Sequence, residues 1–174
     1  MKNKILHLTL FLAVVSAIAG GALAFANEMT APVIAANAEK EEKQSLLEMY
    51  PDAQLDDFEL VNDPSLTENN PEIQKIYKYK DGIVIFKCAV SGFDKGTEFL
   101  VAINSGTDTV DQFKAISNGD TNGIGSKITA DAFKQSVTGK KASEPLDTIS
   151  GATITSSPVV QAINTCAKAA ASIK

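Results

Sequence analysis

The chain has 174 residues, enough for one domain and an accessory segment; 44% hydrophobic residues suffice for a core, and 21% charged residues exclude a disordered chain. Sixteen lysines, no arginine and 21 acidic residues leave a net charge of −5, which excludes the basic footprint of a nucleic-acid binder. One histidine (His7) and two cysteines (Cys88 and Cys166) are too few for a zinc site, an iron–sulfur cluster or a histidine-based triad, so redox chemistry here needs a borrowed group.

Lys2 and Lys4 precede an uncharged, mostly apolar run from Ile5 to Asn27. At 1.5 Å per residue that run spans roughly 35 Å, more than the ~30 Å hydrocarbon core of a bilayer. Residues 1–27 therefore read as a transmembrane anchor. A signal peptide cut after Ala24-Phe25-Ala26 is the competing reading, though the run exceeds a typical signal-peptide core. On either reading the basic end stays in the cytoplasm and the chain after Glu28 lies outside. His7 fits an interfacial position.

Residues 28–50 read as a juxtamembrane connector. Thr30-Ala31-Pro32 is expected to end the anchor helix, because proline lacks the N–H that continues the ladder. Glu39–Tyr50 reads as a short amphipathic helix stopped by Pro51, with the charges of 39–43 on a solvated face. Residues 51–174 form the extracytoplasmic domain. Strand signals cover Phe58–Val61, Glu72–Lys80, Ile83–Val90, Glu98–Ile103 and Thr109–Ile116. Asp81-Gly82, Asp94-Lys95-Gly96 and Asn104–Asp108 supply the turns. Hairpins of this length predict an antiparallel sheet. Helical patterning resumes at Thr129–Val137 and from Pro158 to the end, which makes the domain α+β. Tyr77 and Tyr79 share a strand face, where packing outweighs ligand stacking. Cys88 and Cys166 are open to two readings, a disulfide in an oxidising exterior or two separately buried thiols.

Two loops carry the chemistry. Ser117–Ser126 contains Gly119, Gly123 and Gly125, which let backbone approach a ligand closely. Asp147–Pro158 gathers Ser150, Thr153, Thr155, Ser156 and Ser157 where the last helix begins, with Ser156 or Ser157 as the expected N-cap and Pro158 at the first helical position. A helix start favours anions and offers free N–H groups to a phosphate. The segment thus asks for a phosphate beside a small hydroxyl, with Gly151 and Ala152 leaving room. Beyond Pro158, Val160, Ile163, Ala167 and Ala170 trace one apolar face.

Asp147-Thr148-Ile149-Ser150-Gly151-Ala152-Thr153 resembles D-x-x-S/T-G-A-S/T, the flavinylation motif of FMN-binding domains in the Rnf and Na⁺-pumping NADH:quinone oxidoreductase complexes. The resemblance implies covalent FMN, joined through a phosphodiester to Thr153 by a flavin transferase that uses FAD. It makes Asp147, Ser150, Gly151 and Ala152 recognition residues and sets Thr155 beside the phosphate. The other loop resembles the family's E-T-P-G-L-G segment, with Asp120 for Glu, Thr121 kept, Asn122 for Pro, Gly123 kept, Ile124 for Leu and Gly125 kept. The family would set this loop against the isoalloxazine ring. The anchor followed by Thr30-Ala31-Pro32 is similar to the membrane-anchored G subunit of Rnf. The implied function is an electron relay, partnered by the A, B, C, D and E subunits of Rnf, in a complex coupling ferredoxin and NAD⁺ to Na⁺ or H⁺ movement. The alternative is a stand-alone membrane-anchored FMN-binding protein of extracellular electron transfer. A third reading is a non-redox surface-binding module.

Overall fold

The computed structural model describes residues 2–173. Its first element, α1, runs unbroken from Lys2 to Met49. The expected break at Pro32 does not occur. A proline inside a helix forfeits about 3 kcal/mol, yet Ala31, Ala35, Ala36 and Ala38 surround this one with strong helix formers, and helix propagates cooperatively once nucleated. The helix stops just before Pro51, as expected. Its apolar part is long enough to cross a membrane and is exposed along its length.

The compact unit begins at Glu42, not at residue 51. Its centre is a five-stranded antiparallel meander in chain order: β1 (Glu59–Leu60), β2 (Ile73–Lys78), β3 (Ile83–Val90), β4 (Thr97–Asn104) and β5 (Thr109–Asn118). Asp81-Gly82 turns β2 into β3, and β3 pairs β4 in unbroken register from Ile83↔Asn104 to Val90↔Thr97. A short helix, α2 (Pro64–Glu68), was not expected. Asp63 caps it by accepting from the Ser65 N–H, and Pro64 occupies its first turn. Helices α3 (Asp131–Val137) and α4 (Thr153–Ser172) complete the domain.

Strand alternation sends side chains to two faces. Val84, Phe86, Cys88, Phe99, Val101 and Ile103 face the main core with α3 and α4. Ile85, Leu100 and Ala102 meet Leu46 and Met49 from the last turns of α1. Tyr79 stacks on Phe58 at 5.0 Å, and Tyr50 donates to Asp111 at 2.5 Å, so the tyrosine face is a packing face.

One charge of the 39–43 run is not solvated. Glu42 is only 2% exposed. It accepts from Lys87 Nζ at 2.8 Å, from Lys75 Nζ at 3.0 Å and from the Tyr77 hydroxyl. Helical spacing puts Glu42 on the stripe of Leu46 and Met49, so burying that stripe buries the carboxylate too. Burial pushes the Glu42 pKa up, but the bonds from Lys87, Tyr77 and Lys75 outweigh it and hold the group below its usual range. The stabilisation is therefore fully present above about pH 4.3 and is lost as pH falls further. Glu42→Ala leaves the buried Lys87 with only the more distant, exposed Glu98 carboxylate, at 4.0 Å, as counter-ion. Chemical denaturation of the detergent-solubilised chain at neutral pH should show a loss of about 3–5 kcal/mol, and the difference from wild type should shrink on acidification.

Candidate functional site

Antiparallel register brings the β3–β4 connection and the end of β5 to one end of the sheet, because Thr97 pairs with both Val90 and Asn118. The start of α4 arrives at the same place. The helix begins at Thr153, five residues before the expected start at Pro158, and Ala152 stands at its N-cap. Ser156 is not a cap. Buried inside the first turns, its hydroxyl donates to the Ala152 carbonyl at 3.0 Å and accepts from the Ile149 N–H at 2.9 Å, tying the motif loop to the helix. Pro158 costs only one hydrogen bond, to the carbonyl of the exposed Ile154.

Asp120 joins the three segments. Its Oδ1 accepts from the backbone N–H groups of Asp94 at 2.9 Å and Gly96 at 3.1 Å. Its Oδ2 accepts from the Thr155 hydroxyl at 2.6 Å. Burial alone would raise the Asp120 pKa; the bonds from Thr155, Asp94, Gly96 and Phe93 lower it to about 2. The carboxylate is thus ionised at any ordinary pH, and its stabilising effect fades only as pH drops below about 4. Two glycines make room for it. A Cβ on Gly92 would come within 2.0 Å of Asp120 Oδ2, and one on Gly125 within 2.5 Å of Asp120 Cβ and 3.0 Å of the Thr155 hydroxyl.

In front of this knot lies a cavity of about 380 Å³, lined by Phe93, Thr121, Ile124 and Gly125 on one side and by Gly151–Thr155 on the other. Its rim is apolar and open: Phe93 is 69% exposed, Ile154 63% and Ile124 50%. Thr153, the first residue of α4, is exposed, and among the described residues its hydroxyl makes no hydrogen bond. The glycine loop is held in shape by its own side chains. The Ser126 hydroxyl donates to Asn122 Oδ1 at 3.2 Å and accepts from the Gly123 N–H at 2.8 Å, a brace where the resembled segment has a proline.

The structure therefore gathers Thr121, Ile124, Gly125, Gly151, Ala152, Thr153 and Thr155 around one cavity. Others among the expected residues stand apart from it. Asp120 is behind the wall with both oxygens occupied, so its part is to position rather than to touch. Gly123 and Ser150 are exposed and do not line the cavity. Asp147 is exposed on a separate hollow shared with Thr148, Lys127 and Phe133. Phe93 escaped sequence reasoning. Its signal is weak, one aromatic between turn glycines at 92 and 96, and only the fold of the β3–β4 connection presents it to the cavity.

Residues 92–168 match the family model of the FMN-binding domain, and residues 1–49 match that of the RnfG N-terminal region. No curated protein matches the chain. Every residue lining the cavity falls within the first match.

Disturbing the knot should loosen the site, from behind the lining at Asp120 and within it at Gly125. Asp120→Ala strands two backbone N–H groups and a buried hydroxyl, an expected loss of about 3 kcal/mol. Gly125→Ala overpacks the same spot and should cost about 1–3 kcal/mol. Denaturant midpoints of the two variants and wild type check both values.

Proposed function

We propose, for a chain whose residues 92–168 match the FMN-binding domain model and whose residues 1–49 match the RnfG N-terminal region, that it is the flavin-carrying electron-relay subunit of an Rnf-type, ion-translocating ferredoxin:NAD⁺ oxidoreductase. In this reading FMN is held by a phosphodiester to Thr153, installed by an FAD-dependent transferase. The coupled ion is Na⁺ or H⁺, and the partners are the A to E subunits. Residues 1–27 anchor the chain with its N-terminus in the cytoplasm, and the domain from Glu42 onward faces the exterior.

The observation that carries the reading is an unengaged hydroxyl, Thr153, at the start of a 20-residue helix and on the edge of an apolar cavity. The residues present fit a flavin nucleotide. A helix start supplies the partial positive charge and free N–H groups that a phosphate diester needs, worth about 0.3–1 kcal/mol at an exposed position. Gly151 and Ala152 carry little bulk beside the attachment oxygen. Phe93, Ile124 and Ile154 offer apolar surface to a flat ring, and burying their exposed area would return about 25 cal/mol per Å². Gly125, which has no room for a side chain, lets the loop backbone of the cavity wall close down on Asp120 and Thr155.

FMN supplies one- and two-electron transfer, so it can link donors and acceptors of unlike stoichiometry. The chain's own residues hold and screen it. Asp120 keeps the Thr155 hydroxyl turned inward, which leaves Thr153 as the hydroxyl available for esterification. The phosphodiester prevents loss of the nucleotide by dilution outside the cell. Among the described residues there is no group of His, Cys, Asp and Glu arranged for a metal, and electron entry and exit are assigned to partner subunits.

The test is ultraviolet fluorescence of the denatured chain in a gel, produced in a host that contains the transferase. A fluorescent band is expected from wild type and from Thr153→Ser, and none from Thr153→Ala. Intact mass should show one FMN added with loss of water. A dark wild-type band removes the covalent reading.

A further inference from the structure

We propose that Cys88 and Cys166 form a structural disulfide that staples α4 to β3. These are the only two cysteines of the chain, 78 residues apart in sequence. Folding brings their sulfurs to 3.4 Å, fully buried in the main core. Cys88 lies in the middle of the sheet, opposite Ile73 and Phe99. Cys166 lies on the buried stripe of α4, one turn beyond Ala162. Two independent core thiols would each be served by any small apolar neighbour. Here each is the other's partner, and only a small further approach separates the pair from a bond.

The inference rests on the outward placement of the domain proposed above, because an oxidising compartment is where such a bond persists. The oxidant is a protein or small-molecule disulfide. One cysteine thiolate attacks a sulfur of that disulfide and expels the first oxidant thiol. The second cysteine then attacks the mixed disulfide and expels the other. Two chain thiols are oxidised, one oxidant disulfide is reduced to two thiols, and the two protons lost by the chain thiols end on the oxidant's sulfurs. In the finished fold burial, and then the neighbouring Cys88, push the Cys166 thiol well above its usual range. Thiolate is scarce there and no oxidant can reach it, so the bond closes while the core is still open.

The consequence falls on the flavin site. The staple grips α4 about 20 Å along its axis from Thr153, while Asp120 grips the first turn through Thr155. With both ends held, the attachment residue keeps its position relative to the sheet.

The test uses full-length chain extracted in detergent from its own host's membranes, acid-quenched, denatured and alkylated with N-ethylmaleimide. Intact mass should show no adduct without prior reduction and two after it. Two adducts without reduction overturn the proposal. Chain reduced in denaturant and refolded in reductant should unfold about 10 °C below chain refolded with the bond intact, and a Cys88→Ala/Cys166→Ala double variant taken through the same cycle should show no such shift. An unchanged wild-type midpoint overturns the stapling role. A membrane-impermeant amine reagent on wall-stripped cells reads sidedness separately. Free thiols in a labelled domain overturn the disulfide and leave the relay reading standing. Free thiols in an unlabelled domain overturn both the disulfide and the outward placement.

Discussion

Both oxygens of the Asp120 carboxylate are engaged, one by the β3–β4 connection and the other by the first turn of α4. Three stretches far apart in the chain meet at this single side chain. A neutral group would not serve as well, since hydrogen bonds to an ionised acceptor are roughly twice as strong as neutral ones. The cavity wall follows from that knot. Phe93 is carried by the connection that Asp120 ties down, Thr121 to Gly125 continue directly from it, and Thr155 is turned inward by it. The lining residues therefore have their positions settled from behind.

On the opposite face of the sheet a second buried carboxylate has a comparable part. Glu42 gathers two lysines and a tyrosine at the point where α1 meets the sheet. Its partners come from β2 (Lys75 and Tyr77) and β3 (Lys87, next to Cys88). A buried ion pair adds little net stability over an apolar contact of the same shape, but it is intolerant of losing one member. The last turns of α1 are thereby specified in register against the sheet, which a stripe of Leu46 and Met49 alone would define less sharply. The long helix thus has two characters: an apolar run that is exposed from end to end and a terminal segment that is part of the domain core.

Much of the candidate site was legible because its chemistry is local. The hydroxyl cluster, the small residues at 151 and 152 and the glycine loop each lie within about ten residues, and each says something about backbone shape or charge without reference to the rest. What could not be read was the direction in which each side chain points. Asp120 and Asp147 look alike in sequence, yet one is buried between three segments and the other is exposed on a separate hollow. Thr153 and Ser156 look alike too. The helix start decided between them, and it moved five residues upstream because Ser156 bonds backward into the turn instead of capping it. Phe93 was silent for the same reason, since nothing local marks an aromatic in a turn as facing a cavity.

The apolar N-terminal helix, the antiparallel order of the hairpins, the α+β class and the two candidate-site loops were all legible in the residues alone. All of these depend on periodicity, turn residues and short motifs, which act over a few neighbours. Tertiary structure alone decided that Glu42 is buried, that Pro32 does not end α1, that Cys88 and Cys166 touch, and that Asp120 faces inward. Those outcomes are set by which surfaces pack together. The free energy of burying a charge, a thiol or a helix stripe depends on partners that lie tens of residues away and have no signature in the local pattern.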